Sequence, residues 1–204
     1  TRFNNSSKGI VLNNSTGAIT TQKAGAIAGN ANLAGTPATT IVNEVRGAGS
    51  TLSGAVEIAG TKANVIVANP NGILCQGCSF INAGEVTLST GVPRVNGGAV
   101  ALDVTQGTVN IGTNGLNGAA TGVAQVNLVG RFVVIDGKVT AVSAINAQSG
   151  AMSYDTATRA STGALVSTGT GALAYGIDAT SLGAMEAGRI TIVANEVGFG
   201  VRSL

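Results

Sequence analysis

Apolar and polar residues alternate along this chain in short bursts. Val86 and Leu88 sit among Glu85, Thr87 and Ser89, and Val100, Leu102 and Val104 enclose Ala101 and Asp103. Val126 and Leu128 enclose Asn127, and Ile190 and Ile192 enclose Thr191. A period of two puts alternate side chains on opposite sides of an extended backbone, so each burst predicts a short strand with one buried face. Turn signals separate the bursts, among them Asn71-Gly72, Asn96-Gly97-Gly98, Asn114-Gly115, Asn117-Gly118 and Asp136-Gly137. Short strands alternating with turns in this way predict an all-β sandwich, barrel or β-solenoid.

Composition favours the solenoid. Aromatic residues are 3% of the chain and Trp is absent, whereas sandwiches and barrels use large rings to fill the space between curved sheets. The narrow interior of a parallel β-helix is filled by stacked Val, Ile, Leu and Ala. Its turns stack too, so Asn, Thr, Ser and Gly can bond to the next coil ~4.8 Å away. At about 20 residues per coil, 204 residues predict roughly ten coils. Poor helix formers dominate, which argues against a helical fold. Hydrophobic residues at 44% with a net charge of +2 exclude disorder, and three prolines exclude collagen. Lys and Arg are scattered singly, so no basic stripe for nucleic acid is present. No apolar run is long enough for a spanning helix, and no stable membrane insertion is expected.

Candidate chemistry is sparse. The chain has no His, which removes Ser-His-Asp and Cys-His catalysis and His-ligated zinc. Its nine acidic residues are dispersed along the sequence, and the four Asp form no calcium loop. Gly169-Thr170-Gly171-Ala172-Leu173-Ala174 carries the letters of a dinucleotide fingerprint, but Tyr175-Gly176-Ile177 follows it instead of a helix. Catalytic residues, metal ligands and cofactors are therefore expected to be none. Cys75-Gln76-Gly77-Cys78 has no second ligand pair for zinc and no βαβ context for thioredoxin-like chemistry. A local disulfide in an oxidising compartment and two thiols packed in the core remain as alternatives.

The segment Val67-Ala68-Asn69-Pro70-Asn71-Gly72-Ile73-Leu74-Cys75-Gln76-Gly77-Cys78-Ser79-Phe80-Ile81-Asn82, followed by Val86 to Pro93, resembles the secretion domain of two-partner secretion exoproteins. These are the filamentous haemagglutinins, haemolysins and contact-dependent growth-inhibition proteins of Gram-negative bacteria. The family hallmark Asn-Pro-Asn-Gly-Ile stands intact at Asn69, Pro70, Asn71, Gly72 and Ile73. A second motif, Asn-Pro-Asn-Leu, is altered to Asn30-Ala31-Asn32-Leu33. Gly9 to Ser15, Ile41 to Val45, Val56 to Gly60, Tyr175 to Asp178, Leu182 to Met185 and Gly198 to Val201 are similar to further family blocks in the same order.

The resemblance implies a right-handed parallel β-helix over 1–204 as one secretion domain, with room for short extra-helical β elements and with a capping segment missing ahead of Thr1. It implies export through the periplasm and outer membrane of a Gram-negative bacterium to the surface or beyond. The expected partner is a cognate outer-membrane TpsB-type transporter with periplasmic POTRA domains, the domain itself being a monomer and not an enzyme. Recognition would centre on Asn69 to Ile73, with Asn30, Asn32 and Leu33 as second motif. Physically, Asn-Pro-Asn-Gly is also a strong turn: Pro70 pre-sets φ, the asparagines bond local backbone, and Gly72 is free to take φ > 0. The turn role and the recognition role both stay open. The runner-up on the same architecture is a polysaccharide-processing β-helix enzyme. A carbohydrate-binding module would want exposed aromatic residues.

Overall fold

The computed structural model describes residues 2–168, 173–180 and 185–204. Most of the Gly169 to Ala174 fingerprint and of the Leu182 to Met185 block lies outside the described residues.

Three parallel faces wind into a β-helix. The first face stacks the strands Thr40–Glu44, Ala63–Ala68, Ala83–Ser89, Gln125–Gly130, Ala144–Ser149 and Arg189–Ala194. The second stacks Ser50–Leu52, Ile73–Cys75, Thr108–Ile111, Phe132–Ile135, Ile177–Ala179 and Val201–Ser203. The third runs Ile10–Asn14, Ala55–Gly60, Ser79–Ile81, and then, through a Cys78 to Leu116 bridge, Leu116–Asn117, Val139–Thr140 and Met185–Glu186.

Register lines up the interior. Val65, Val86, Val126 and Ile145 form one inward row, and Val67, Leu88, Leu128 and Ala147 form the next. Every one of these is 1% exposed or less. Phe80, fully buried, stacks under Val56 and Ile10 on the third face. Each such Val, Ile, Leu or Phe side chain contributes about 1.5–3 kcal/mol by leaving water, so the interior holds without Trp.

Among the described residues the first and second faces each hold six strands, which corrects the expectation of roughly ten coils. The missing length leaves the helix as excursions. One hairpin, Val92–Asn96 with Ala99–Val104, leaves the third coil, and another, Met152–Asp155 with Ala160–Ala164, leaves the fifth. The two pair with each other into a four-stranded antiparallel sheet. The alternating Val100, Leu102 and Val104 thus belong to this outer sheet and not to a helix rung. Together with Met152 and Tyr154 they bury Ile66, Ala68 and Val129 on the outer side of the first face, forming a second core. Desolvation pushes the ionisation of the buried Tyr154 phenol upward, and its oxygen accepts from Asn146 Nδ2 at 3.2 Å.

A third hairpin, Ile19–Thr21 with Gly25–Ile27, lies at the start of the helix. Its tip donates the N–H groups of Gln22 and Lys23 to the buried Glu57 carboxylate, both at 2.8 Å. Among the described residues no helix is long and apolar enough to cross a membrane.

Candidate recognition site

Asn69 to Ile73 form the corner where the chain passes from the first face to the second. Gly72 N–H donates to the Asn69 carbonyl at 3.0 Å, closing a β-turn. The Asn69 side-chain oxygen accepts from Asn71 N–H at 3.0 Å. Its amide donates to the Ala48 carbonyl at 2.9 Å and to Ser50 Oγ at 3.0 Å. Asn71 Nδ2 donates to the Gly47 carbonyl at 2.7 Å. Both asparagines therefore reach back to the same corner one coil earlier. Towards the next coil, Asn69 N–H donates to the Ser89 carbonyl and Gln106 Nε2 to the Pro70 carbonyl.

Two glycines make this corner fit. Gly72 adopts φ +106, a conformation that L side chains rarely take. Gly107, in the coil above, packs so close that a Cβ would fall 2.5 Å from the Pro70 oxygen. The sequence carried no signal for Ser50, the Arg46 to Ala48 carbonyls or Gln106, because they come from neighbouring coils.

Exposure divides the hallmark. Asn69 is 0% exposed and Ile73 2%, while Asn71 faces solvent. Two residues on, the same coil turns again at Cys75 and Cys78, which are joined by a disulfide with Cα atoms 5.3 Å apart. Both are buried against the core, and Cys75 Sγ accepts from Cys78 N–H.

The second motif stands elsewhere, at the first coil. Asn30 caps a short 3-10 turn over Ala31–Leu33, accepting from Asn32 N–H at 3.0 Å and donating to the Asn13 carbonyl at 3.0 Å. The side-chain pattern of Asn69 is thus reproduced without the proline. Leu33 lines an apolar hollow with Leu12 and Ile41. Among the described residues, no group of three or more Cys, Asp or Glu is placed to hold a metal ion.

Residues 1–204 match the family described as the TPS secretion domain. The chain belongs to this family. It is 40% identical over 209 residues to the filamentous hemagglutinin of Bordetella pertussis, covering 100% of this chain and 6% of that protein. It is 44% identical over 204 residues to the 16S rRNA endonuclease CdiA of Enterobacter cloacae, covering 98% of this chain and 6% of that protein. A solved crystal structure of the filamentous hemagglutinin secretion domain superposes with a TM-score of 0.93 at 40% identity, over 100% of this chain and 70% of that one. The parallel β-helix is therefore the fold of the family. The TPS secretion domain is a secretion module of exoproteins of Gram-negative bacteria and not an enzyme, which sets aside the polysaccharide-processing reading. The chain spans only about 6% of the curated relatives it matches.

Proposed function

We propose that this domain directs a large exoprotein, an adhesin, haemolysin or growth-inhibition toxin, to its cognate outer-membrane TpsB-type transporter. The transporter's periplasmic POTRA domains read Asn69 to Ile73 before the domain folds, and the same residues afterwards close a corner of the β-helix. The observation that supports this order is the burial of the two ends of the hallmark, Asn69 and Ile73. Asn69 is 0% exposed with its amide bonded to Ala48 and Ser50 and Ile73 is buried, so in the folded domain a partner would meet Asn71 and parts of Pro70 and Gly72 but neither end of the motif. A folded domain on this reading is a poor ligand.

Outside the cell the domain acts as a template. Strand edges of Arg189–Ala194 and Val201–Ser203, with Ile190 42% and Val201 43% exposed, offer backbone donors and acceptors to a following coil. The Cys75–Cys78 bond forms in the oxidising periplasm on the way.

The test presents isolated POTRA domains with the chain either folded or freshly diluted from urea. Binding is expected for the unfolded chain alone, and Asn71→Ala should weaken it while leaving the melting temperature of the folded domain nearly unchanged. Equal binding by the folded domain would overturn the proposed order. Unfolded Asn71→Ala chain binding as tightly as the parent would reduce the hallmark to a turn.

A further inference from the structure

Four Asn-Gly pairs punctuate the chain: Asn71-Gly72, Asn96-Gly97, Asn114-Gly115 and Asn117-Gly118. The pair carries its own chemistry. Glycine has no side chain to shield its peptide nitrogen, so that nitrogen can reach the carboxamide carbon of the preceding asparagine and close a five-membered ring. Whether it does depends on how firmly the fold holds the peptide between them. All four pairs belong to the second and third coils, and none is on a terminal rung.

In three of them that peptide is held. Gly72 N–H donates to the Asn69 carbonyl at 3.0 Å, and the Asn71 amide donates to the Gly47 carbonyl at 2.7 Å. Gly115 N–H donates to the Gly112 carbonyl at 2.8 Å. Gly118 N–H donates to the Thr140 carbonyl at 3.0 Å, while the Asn117 side-chain oxygen accepts from Ala120 N–H and Thr140 Oγ1. Attack at any of the three must wait for a backbone hydrogen bond of the β-helix to open.

Asn96-Gly97 differs. It stands at the tip of the hairpin Val92–Asn96 with Ala99–Val104, where Asn96 faces Ala99 across a two-residue turn. Gly97 and Gly98 take φ +55 and +87, as a type I′ turn requires, and a Cβ added to either would meet nothing within 4 Å. Both Asn96 and Gly97 are exposed. Among the described residues, neither the Gly97 N–H nor the Asn96 side chain has a hydrogen-bond partner.

We propose that Asn96 is a self-modification site, at which the Gly97 nitrogen converts the asparagine to aspartate or isoaspartate. Hydroxide or a buffer base takes the Gly97 amide proton, the nitrogen attacks Asn96 Cγ, and the Cγ–Nδ2 bond breaks to release ammonia. Water then opens the succinimide. Cleavage of the new N–Cγ bond leaves aspartate, whereas cleavage of the original peptide N–C bond leaves isoaspartate, with the main chain running through the side chain. Nothing is oxidised or reduced. Either product puts a carboxylate at the tip, on the same side of the strand as Arg94. The hallmark pair Asn71-Gly72 has the same two residues and is spared by its turn, so the modification is independent of export.

The experiment incubates the chain in mildly alkaline buffer, once folded and once in urea, and follows each Asn-Gly peptide by digestion and mass spectrometry. In the folded chain Asn96 should convert roughly tenfold or more faster than Asn71, Asn114 and Asn117, because reaction at those three waits on local opening. In urea the four rates should converge. Asn96→Gln, which closes such a ring far more slowly, should remove the dominant folded-state product and, at an exposed position, melt like the parent. No conversion of Asn96 in the folded chain, a rate at any of the other three that equals or exceeds it, or a preference for Asn96 that persists in urea would each overturn the proposal.

Discussion

The turns at Asn69 and Asn30 use the same side-chain device in two different surroundings. In each, the first asparagine accepts from the backbone N–H two residues on and donates to a carbonyl of an earlier segment. Asn69 does so at 0% exposure, held between the coil before and the coil after, with Ser50, Ser89 and Gly107 around it. Asn30 does so half-exposed at the end of the helix, against Asn13 and Ser15. The device sets the local turn. Burial sets what losing it costs, because water replaces a lost partner at Asn30 and cannot at Asn69.

The largest expected effect follows directly. Asn69→Ala removes three side-chain bonds and leaves buried groups unmet, for a loss of about 2–3 kcal/mol and a fall in melting temperature of roughly 5–10 °C. Asn30→Ala should cost about 1 kcal/mol, or roughly 2–4 °C. Calorimetry of the two variants in parallel decides the matter, and equal losses would break the comparison.

A smaller effect of opposite sign tests the missing proline. Asn30 has φ −89 and ψ 102, an extended conformation that a following proline favours, and residue 31 opens the 3-10 turn where an N–H is dispensable. Ala31→Pro should therefore raise stability by about 0.4–1 kcal/mol through the unfolded chain. A lower melting temperature would mean that the second turn is shaped differently from the hallmark.

Acid sharpens the contrast further, because neither turn contains a titratable side chain while the outer sheet does. A hydrogen bond from Arg94 holds the Asp103 carboxyl below the ordinary value of 3.8, and the Thr158 N–H does the same for Asp155. Folded values below the unfolded one mean stabilisation that is complete above pH ~4 and lost as pH falls through the lowered values. Amide protection in Ala99–Val104 and Met152–Asp155, taken relative to the intrinsic exchange rate at each pH, should fall only in that acid range. The melting difference between the parent and Asn69→Ala should stay constant across it.

How much was legible in the sequence depended on whether the cause was local. The strands around Val86 and Val126 follow from period-two alternation, and the hallmark turn follows from the chemistry of Asn, Pro and Gly. The alternation of Val100, Leu102 and Val104 is of the same kind, yet it faces a second core, because a period of two says which side is buried and not against what. Coil number failed for the same reason: residues spent on excursions look like residues spent on rungs. Thr87 and Asn127 read as solvent-facing but are 2% and 0% exposed, because the outer sheet covers them. The partners of Asn69, from Ala48 to Gln106, were illegible because stacking brings them together from separate coils.

The outer sheet couples rungs that are not neighbours. A solenoid held only by contacts between adjacent turns can fray from an end, one rung at a time. Here Ala99–Val104, rooted in the third coil, pairs edge to edge with Met152–Asp155, rooted in the fifth, across the intervening fourth. The pairing works as a staple: the middle rung cannot unwind without opening the clasp over it, and the clasp cannot form until both of its roots have been laid down. A chain emerging from its N-terminal end therefore locks this stretch in one event, late, when Tyr154 meets Leu102.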